Sequence, residues 1–229
     1  MDRDYFRRRH RIRSQRLGIW DYSFSGYYFI TTVLLQRHLN LLSSVNQRGK
    51  VILKPFGKSV DDQIRDIKYW DPQLIVDEYV IMPDHIHILL SIAPGTFHNG
   101  FSKYQIDERY QQYSKTFNRL IYQMDKYYEK EEVTEAEVEK YEELKKNYRS
   151  IRRKMLVPKV VGRLKAQSSK NFNIHNNTPG RKNWLKDYHC SVVTPTSYYR
   201  VKRYIQNNPI KYQGKPPNLV RRMRKAKSS

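Results

Sequence analysis

The sequence contains a single cysteine, Cys190, among 229 residues, so no internal disulfide can form. We expect this lone Cys190 to be a small core residue without chemistry, in a protein of a reducing, cytoplasmic compartment. No apolar run approaches the ~18 residues of a membrane span, and the arginine-rich N-terminus lacks the apolar stretch of a secretory signal. These absences predict a protein that does not cross a membrane.

Acidic residues are also scarce. The chain has 22 Asp and Glu against 44 Lys and Arg, which gives a formal net charge of +22 and an isoelectric point near 10.0. Such an excess goes far beyond what solubility needs and favours a polyanionic partner. The 19 tyrosines favour nucleic acid among the polyanions, because aromatic rings can stack on unpaired bases, although any single tyrosine is more often an ordinary strand residue.

The positive charge is concentrated at both ends of the chain. Residues 1–16 are predicted to form a basic arm, since seven arginines fall between positions 3 and 16, and residues 213–229 form a basic tail. A single catalytic domain is expected over residues 17–212. The candidate phosphate contacts in the arm are Arg7, Arg8, Arg9 and Arg11.

The region from about 104 to 156 differs in character, because residues 107–143 hold 11 acidic and 6 basic residues. Its apolar residues recur at helical spacing, and Thr134 with Glu137 forms a capping-box pattern that predicts the start of a second helix. We therefore expect an inserted helical hairpin here. The segment that follows, 144–171, has ten Lys and Arg and no acid, and we expect Lys165 and Lys170 in its helix to contact phosphates. For Lys165, a merely solvated side chain is an equally good interpretation.

Outside the arms and the insertion, the pattern predicts an α+β fold. Runs rich in aromatic and β-branched residues indicate strands at 27–34, 74–82, 85–92 and 184–193, and helices are expected at 61–70, 157–172 and 197–208. Residues 51–54 could form a short strand or lead into the first helix. The order corresponds to a ferredoxin-like or palm-like βαββαβ(α) arrangement, with helices covering a mainly antiparallel sheet.

Two histidines occupy alternate positions in the strand after the Pro83-Asp84 turn. Side chains alternate faces along a strand, so His85 and His87 project to one side, ~6.6 Å apart along the chain, and could both bind one divalent cation. Two histidines on a solvated strand face would be the preferred interpretation if nothing else indicated a site.

The second half of the candidate site lies near the C-terminus. Tyr204 and Asn208 are four residues apart and share one helix face, where they could supply a nucleophile and a third metal ligand. Pro209 is predicted to end this helix, and Asn207 could then cap it while Asn208 binds the metal. Without the histidines, a core tyrosine and a capping asparagine would explain the pattern better.

The combination of these motifs resembles one known family. The segment MPDHIHILL is similar to the His-hydrophobic-His motif of the HUH superfamily of single-tyrosine endonucleases, and RYIQNNP resembles the tyrosine helix of that family. Further similarity in VGRLKAQSSKNFN, in the strand after Trp184 and in the segment 20–31 favours the REP-associated tyrosine transposases. The resemblance covers roughly residues 17–98 and 157–212.

This resemblance implies a transposase that cuts and rejoins single-stranded DNA, with a hairpin in the substrate. Tyr204 would be the nucleophile, and His85, His87 and Asn208 would hold Mg²⁺ or Mn²⁺, with Asn208 standing where related enzymes often have glutamine. The His189-Cys190-Ser191 segment departs from the family pattern, and the 104–156 hairpin is longer than the family's usual connection.

Two other functions stay open from the sequence. One is a non-catalytic nucleic-acid-binding protein in which the histidine pair is incidental. The other is a relaxase or replication nickase of the same chemistry, although such proteins usually carry further domains. Whether the protein is a monomer or a homodimer, and whether one subunit supplies Tyr204 to its own or its partner's site, is equally open.

Overall fold

A computed structural model describes residues 20–93, 119–120, 122–124, 126 and 134–212. The chain divides into two compact units. The smaller comprises Met1–Phe24 and Phe97–Val161, and the larger comprises Ser25–Thr96 and Gly162–Ser229. The arginines of the predicted N-terminal arm and the basic tail at 213–229 lie outside the described residues.

The larger unit is built on an antiparallel sheet. The strands of this unit are β1 (Gly26–Val33), β2 (Ser43–Val45), β3 (Val51–Leu53), β4 (Leu74–Ile81), β5 (His85–Ile92) and β6 (His189–Val193). Strands β2 and β3 form a separate two-stranded sheet, and the other four form the main sheet. The helices of the chain are α1 (Pro55–Arg65), α2 (Ile67–Trp70), α3 (Glu135–Lys154), α4 (Leu156–His175) and α5 (Pro195–Tyr212).

The main sheet has the strand order β4-β5-β1-β6, and every neighbouring pair is antiparallel. Counted within this sheet, the order is second, third, first, fourth, which is the split βαβ arrangement. The predicted α+β class with helices on a mainly antiparallel sheet is therefore confirmed. The β4–β5 hairpin is also as predicted, with the Pro83-Asp84 turn between its strands.

The two central strands, β1 and β5, are covered on both faces. On one face, α5 packs its Ile205 into an apolar cluster with residues of the sheet and the β4–β5 turn, namely Val80, Met82, Leu89 and Val193. On the other face, Phe56 of α1 stacks on Phe172 of α4 with ring centroids 4.4 Å apart. This double covering explains why β5 is buried along almost its whole length, and Cys190 is buried as expected.

Helix α5 differs from the prediction at both ends. It begins at Pro195 and continues through Pro209 to Tyr212, so the prediction that Pro209 ends the helix was wrong. Pro209 is buried, and Tyr212 packs against the Ile205 cluster. The burial of this last turn offsets the backbone hydrogen bond that proline removes. Because the helix does not end there, Asn207 is not a C-cap.

Other helix and strand boundaries can also be compared with the sequence-based predictions. Helix α1 begins at Pro55 rather than near 61, because proline is favoured in the first turn, where its missing N–H is not needed. Residues 51–53 form the strand β3. The last strand begins at His189 rather than Trp184, which makes only an isolated bridge to Leu34.

In the smaller unit, α3 begins as predicted. Thr134 accepts a hydrogen bond from the backbone N–H of Glu137, and the Glu137 carboxylate accepts one from the backbone of Thr134. The other half of the predicted hairpin lies largely outside the described residues. No helix in the described part of the chain is long and apolar enough to cross a membrane.

Candidate functional site

The structure brings three of the predicted site residues into ring contact. The ring centroids of His85 and His87 are 4.7 Å apart, and those of His87 and Tyr204 are 5.5 Å apart. Tyr204 lies 119 residues after His85 in the sequence, so only the packing of α5 against the sheet creates this group. Phe29 of β1 supports it from below, stacked on His87 and edge-on to Tyr204.

His87 is not on a solvated strand face. Only 6% of the residue is exposed, whereas 42% of Tyr204 is exposed. The simplest alternative to a site, two solvated histidines, is therefore wrong for His87. A buried imidazole requires hydrogen-bond partners, and the partners here decide which ring nitrogen can face a ligand.

Both histidines use Nδ1 for hydrogen bonds within the protein. Nδ1 of His87 lies 2.8 Å from Oγ1 of Thr31, its direct partner across β1 and β5. Nδ1 of His85 lies 2.6 Å from Oδ1 of Asp84. With Nδ1 engaged in each ring, Nε2 is the nitrogen that remains for a ligand, and partners of this kind are what orient metal-binding histidines.

Asp84 is itself held by a second group. Its Oδ2 accepts a hydrogen bond of 2.6 Å from Nε of Arg37, in the 3-10 helix Arg37–Leu39 that follows β1. The Asp84 side chain is only 7% exposed, whereas that of Arg37 is 49% exposed. The chain Arg37–Asp84–His85 therefore runs from the surface to the site and fixes the His85 ring.

The electrostatics favour a neutral His87. The pKa of His87 is lowered from 6.5 to about 3, mainly by burial. The charge of His85 contributes a smaller part of this decrease in pKa, and the charge of Asp84 acts in the opposite direction. For Asp84, burial alone would raise the pKa, but the hydrogen bonds and charges of His85 and Arg37 outweigh it and lower the pKa below its usual 3.8. A neutral imidazole beside a carboxylate suits a cation.

Asn208 lies on α5 between two residues that reach the site. Tyr204, one turn earlier, contacts His87. Tyr212 lies one turn later, and its pKa is raised by burial and by the charge of Asp84, which places this tyrosine within reach of that carboxylate. Asn208 is half-buried. Its helical turn therefore lies between these two turns, and among the described residues no hydrogen bond joins its amide to either histidine.

The donor set fits a cation only if an amide takes part. In the described residues, no group of three or more His, Cys, Asp or Glu side chains is placed to hold a metal ion. Two imidazole nitrogens and one amide oxygen would provide the three protein ligands that the sequence predicts. Magnesium prefers oxygen ligands, and imidazoles move the preference toward manganese.

An open groove of about 360 Å³ adjoins Tyr204 on the solvent side of α5. We call it the α5 groove; its lining consists of Tyr199, Arg200, Arg203, Tyr204, Asn207 and Lys211. Asn207, which the sequence suggested as a cap, thus faces this groove.

The two predicted phosphate-binding lysines of α4 differ in their surroundings. Nζ of Lys165 lies 2.9 Å from the carbonyl oxygen of Leu185 and 3.1 Å from that of Asp187, and it sits over the Tyr188 ring. It thereby holds the segment that leads into β6. Lys170 is exposed. A phosphate contact remains a prediction for both.

Sequence reasoning did not identify Thr31, Asp84 or Arg37 as site residues. Asp84 could have been found, because a carboxylate directly before the first histidine can reach that ring. Thr31 and Arg37 could not have been found in this way, because each contacts a residue that is distant in the sequence. Thr31 lies 56 residues before His87, and Arg37 lies 47 residues before Asp84, so both contacts depend on the folding of β1 beside β5.

Comparison with known proteins gives limited similarity. No protein-family model matches the chain. An uncharacterized protein of Haemophilus influenzae is 34% identical over 83 residues, which are 36% of this chain and 45% of that protein, so the match spans less than half of the relative.

Two solved structures align with much of this chain at low scores. The structure of a REP-associated tyrosine transposase bound to a REP hairpin aligns with a TM-score of 0.39 at 13% identity, covering 85% of this chain and 73% of that one. A candidate transposase from Deinococcus radiodurans R1 aligns with a TM-score of 0.37 at 15% identity, covering 80% and 91%. At these values the function has to be argued from this chain's own residues.

Proposed function

We propose that this protein is a metal-dependent nickase and strand transferase of the transposase type, acting on single-stranded DNA that carries a hairpin. The observation that supports it most strongly is the contact between Tyr204 and His87 beside His85. A half-exposed phenol next to two imidazoles, each with Nδ1 engaged, combines a nucleophile with a place for a cation. The net charge of +22 provides the attraction for the nucleic acid.

In this mechanism, the Tyr204 hydroxyl oxygen attacks the scissile phosphorus. A bond forms between the tyrosine oxygen and phosphorus, the bond from phosphorus to the 3′-oxygen breaks, and the phenolic proton is lost to solvent or a base while the leaving oxygen gains one. The products are a 5′-phosphotyrosine and a free 3′-OH. Because the energy of the phosphoester is kept in the covalent adduct, a 3′-OH can later attack it and restore a DNA strand.

The protein's other residues prepare this step. His85, His87 and Asn208 would hold Mg²⁺ or Mn²⁺, which when bound supplies positive charge to the scissile phosphate. Thr31 and Asp84 fix the two imidazole rings, and Arg37 holds Asp84. Phe29 packs against both His87 and Tyr204, so it sets the distance between the nucleophile and the metal ligands.

Formation of a covalent protein–DNA adduct distinguishes the proposed enzyme from a non-catalytic binding protein and from a nuclease that uses water. A nucleic-acid-binding protein without catalysis would bind the DNA and never become linked to it. A water-using nuclease would cut without a covalent adduct. The proposed enzyme forms an adduct with a single-stranded hairpin oligonucleotide when Mg²⁺ or Mn²⁺ is present and not in excess EDTA. Tyr204→Phe should abolish the adduct and leave DNA binding intact, whereas Tyr69→Phe, an exposed tyrosine of α2, should not affect either.

A further inference from the structure

We infer that the α5 groove binds the single-stranded DNA that flanks the scissile phosphate, with Tyr199 stacking on a base and Arg203 contacting a phosphate. The identity of the bound molecule, single-stranded DNA, rests on the proposed function. Its basis is independent, because it comes from the shape, charge and aromatic content of the solvent side of α5 and uses no property of the histidines.

The groove is strongly cationic. Helix α5 contains four Lys and Arg and no Asp or Glu, and three of these cations, Arg200, Arg203 and Lys211, line the groove. Because no acid of the same helix offsets them, the charge along this face complements a phosphate backbone. A row of phosphates is a better match for this line of separate cations than a single anion would be.

The groove also offers exposed aromatic surface. Tyr199 is 75% exposed although it is a large aromatic residue, and its ring meets Tyr198 edge-on with centroids 5.2 Å apart. Tyr198 packs in turn against the Ile205 cluster, so Tyr199 is supported from beneath while one side faces solvent. Stacking on exposed aromatic rings is how proteins bind unpaired bases without reading their sequence.

The positions of these groups along the helix fit a strand that leads to Tyr204. At 1.5 Å per residue, Tyr199 lies ~7.5 Å before Tyr204 along the helix axis, and Lys211 lies ~10.5 Å after it. The groove therefore extends on both sides of the nucleophile. A duplex would require a broader surface than one helix face, and an acidic peptide would not use the stacking ring, so single-stranded DNA is the occupant that uses both features.

The test measures binding in the full-length chain with Tyr204→Phe, so that cleavage cannot disturb it. A labelled single-stranded oligonucleotide of mixed sequence is titrated by fluorescence anisotropy at several salt concentrations. Arg203→Gln should reduce the slope of log affinity against log salt by ~0.7, the value for one phosphate contact on a single strand. Tyr199→Leu should weaken binding by about 5- to 100-fold with little change in that slope.

The matched control is Lys202→Gln, which removes the same charge from the neighbouring position of α5 but does not line the groove. Oligonucleotides carrying 2-aminopurine add a direct readout, since stacking on Tyr199 quenches the base and Tyr199→Leu should relieve the quenching. Equal effects of Lys202→Gln and Arg203→Gln, or unchanged affinity with Tyr199→Leu, would overturn the inference. So would stronger binding of RNA, or competition by poly-glutamate as effective as that by DNA.

Adduct formation by the chain with Tyr204 intact separates this inference from the proposed function. If that chain forms the adduct but both groove variants bind DNA as tightly as their parent, the groove is wrong and the function stands. If it forms no adduct but the groove variants lose binding as described, the groove stands and the function is wrong.

Discussion

Thr31 and His87 are direct partners across β1 and β5, and Oγ1 of Thr31 lies 2.8 Å from Nδ1 of His87. This contact assigns a role to a residue that no sequence motif indicated. When the threonine oxygen accepts the Nδ1 proton, the lone pair of Nε2 is available to a cation. Loss of the hydroxyl leaves the ring free to adopt the other tautomer.

We therefore expect Thr31→Val to raise the Mg²⁺ or Mn²⁺ concentration needed for half-maximal adduct formation by about 10- to 100-fold, as is usual for groups that orient metal ligands. Thr31→Ser should restore most of the loss. The control is Thr32→Val on the opposite face of β1, where, among the described residues, the buried hydroxyl has no hydrogen-bond partner. An equal defect in Thr32→Val would indicate a general effect on the strand.

Asp84 and Arg37 should act in series on His85. Asp84→Asn removes the charge that holds the ring, so we expect adduct formation to need a higher Mg²⁺ or Mn²⁺ concentration for its half-maximal level than in the unmodified chain. Arg37→Gln should have a smaller effect, because Arg37 reaches the ring only through Asp84. Metal titrations of both single variants and the double variant measure the coupling. If the two effects simply add, the residues act separately.

The lowered pKa of His87 predicts a pH dependence of folding. In the folded chain this pKa is about 3, against 6.5 ordinarily, so the unfolded chain binds the extra proton between these values. The free energy of unfolding should therefore rise with pH through that window, by at most about 1.4 kcal/mol per pH unit, and level off above it.

Urea unfolding in EDTA from about pH 4.5 to 8 measures this, and His87→Gln should remove the rise that is due to this group. His175→Gln, at an exposed position, serves as the control. The lower limit avoids the range in which Asp84, with its lowered pKa, loses its own stabilising contribution. A parallel pH dependence in His87→Gln and the unmodified chain would contradict the burial argument.

Two helix glycines should respond in opposite ways to alanine. A Cβ at Gly57 of α1 would collide with the backbone carbonyl of Leu42, so we expect Gly57→Ala to destabilise the fold by about 1–3 kcal/mol or more. A Cβ at Gly162 of α4 meets open space, and Gly162→Ala should stabilise by about 1 kcal/mol through helix propensity. Thermal unfolding of both variants checks the pair, and a tolerated Gly57→Ala would show that Leu42 can move.

The sequence was sufficient where local patterns carried the information. Alternation around the Pro83-Asp84 turn predicted the β4–β5 hairpin and put His85 and His87 on one face, and the capping box predicted the start of α3 at Thr134. These features depend on residues only a few positions apart, so the pattern and the structure share the same cause.

The remaining features depend on distant packing. Pro209 ends a helix in isolation, but here the burial of Pro209 and Tyr212 against the sheet continues it. The burial of His87 follows from the covering helix α5, and the partners Thr31 and Arg37 follow from strand pairing. No local pattern contains that information.

The central claim is that Tyr204 becomes covalently attached to DNA. The most direct measurement is mass spectrometry of the adduct trapped from a single-stranded hairpin oligonucleotide with Mg²⁺ or Mn²⁺. The proposal predicts a 5′-phosphate-linked DNA fragment on the peptide that contains Tyr204, no adduct with EDTA, and none in Tyr204→Phe. A fragment on another residue, a 3′-linked fragment, or cutting without any adduct would contradict it.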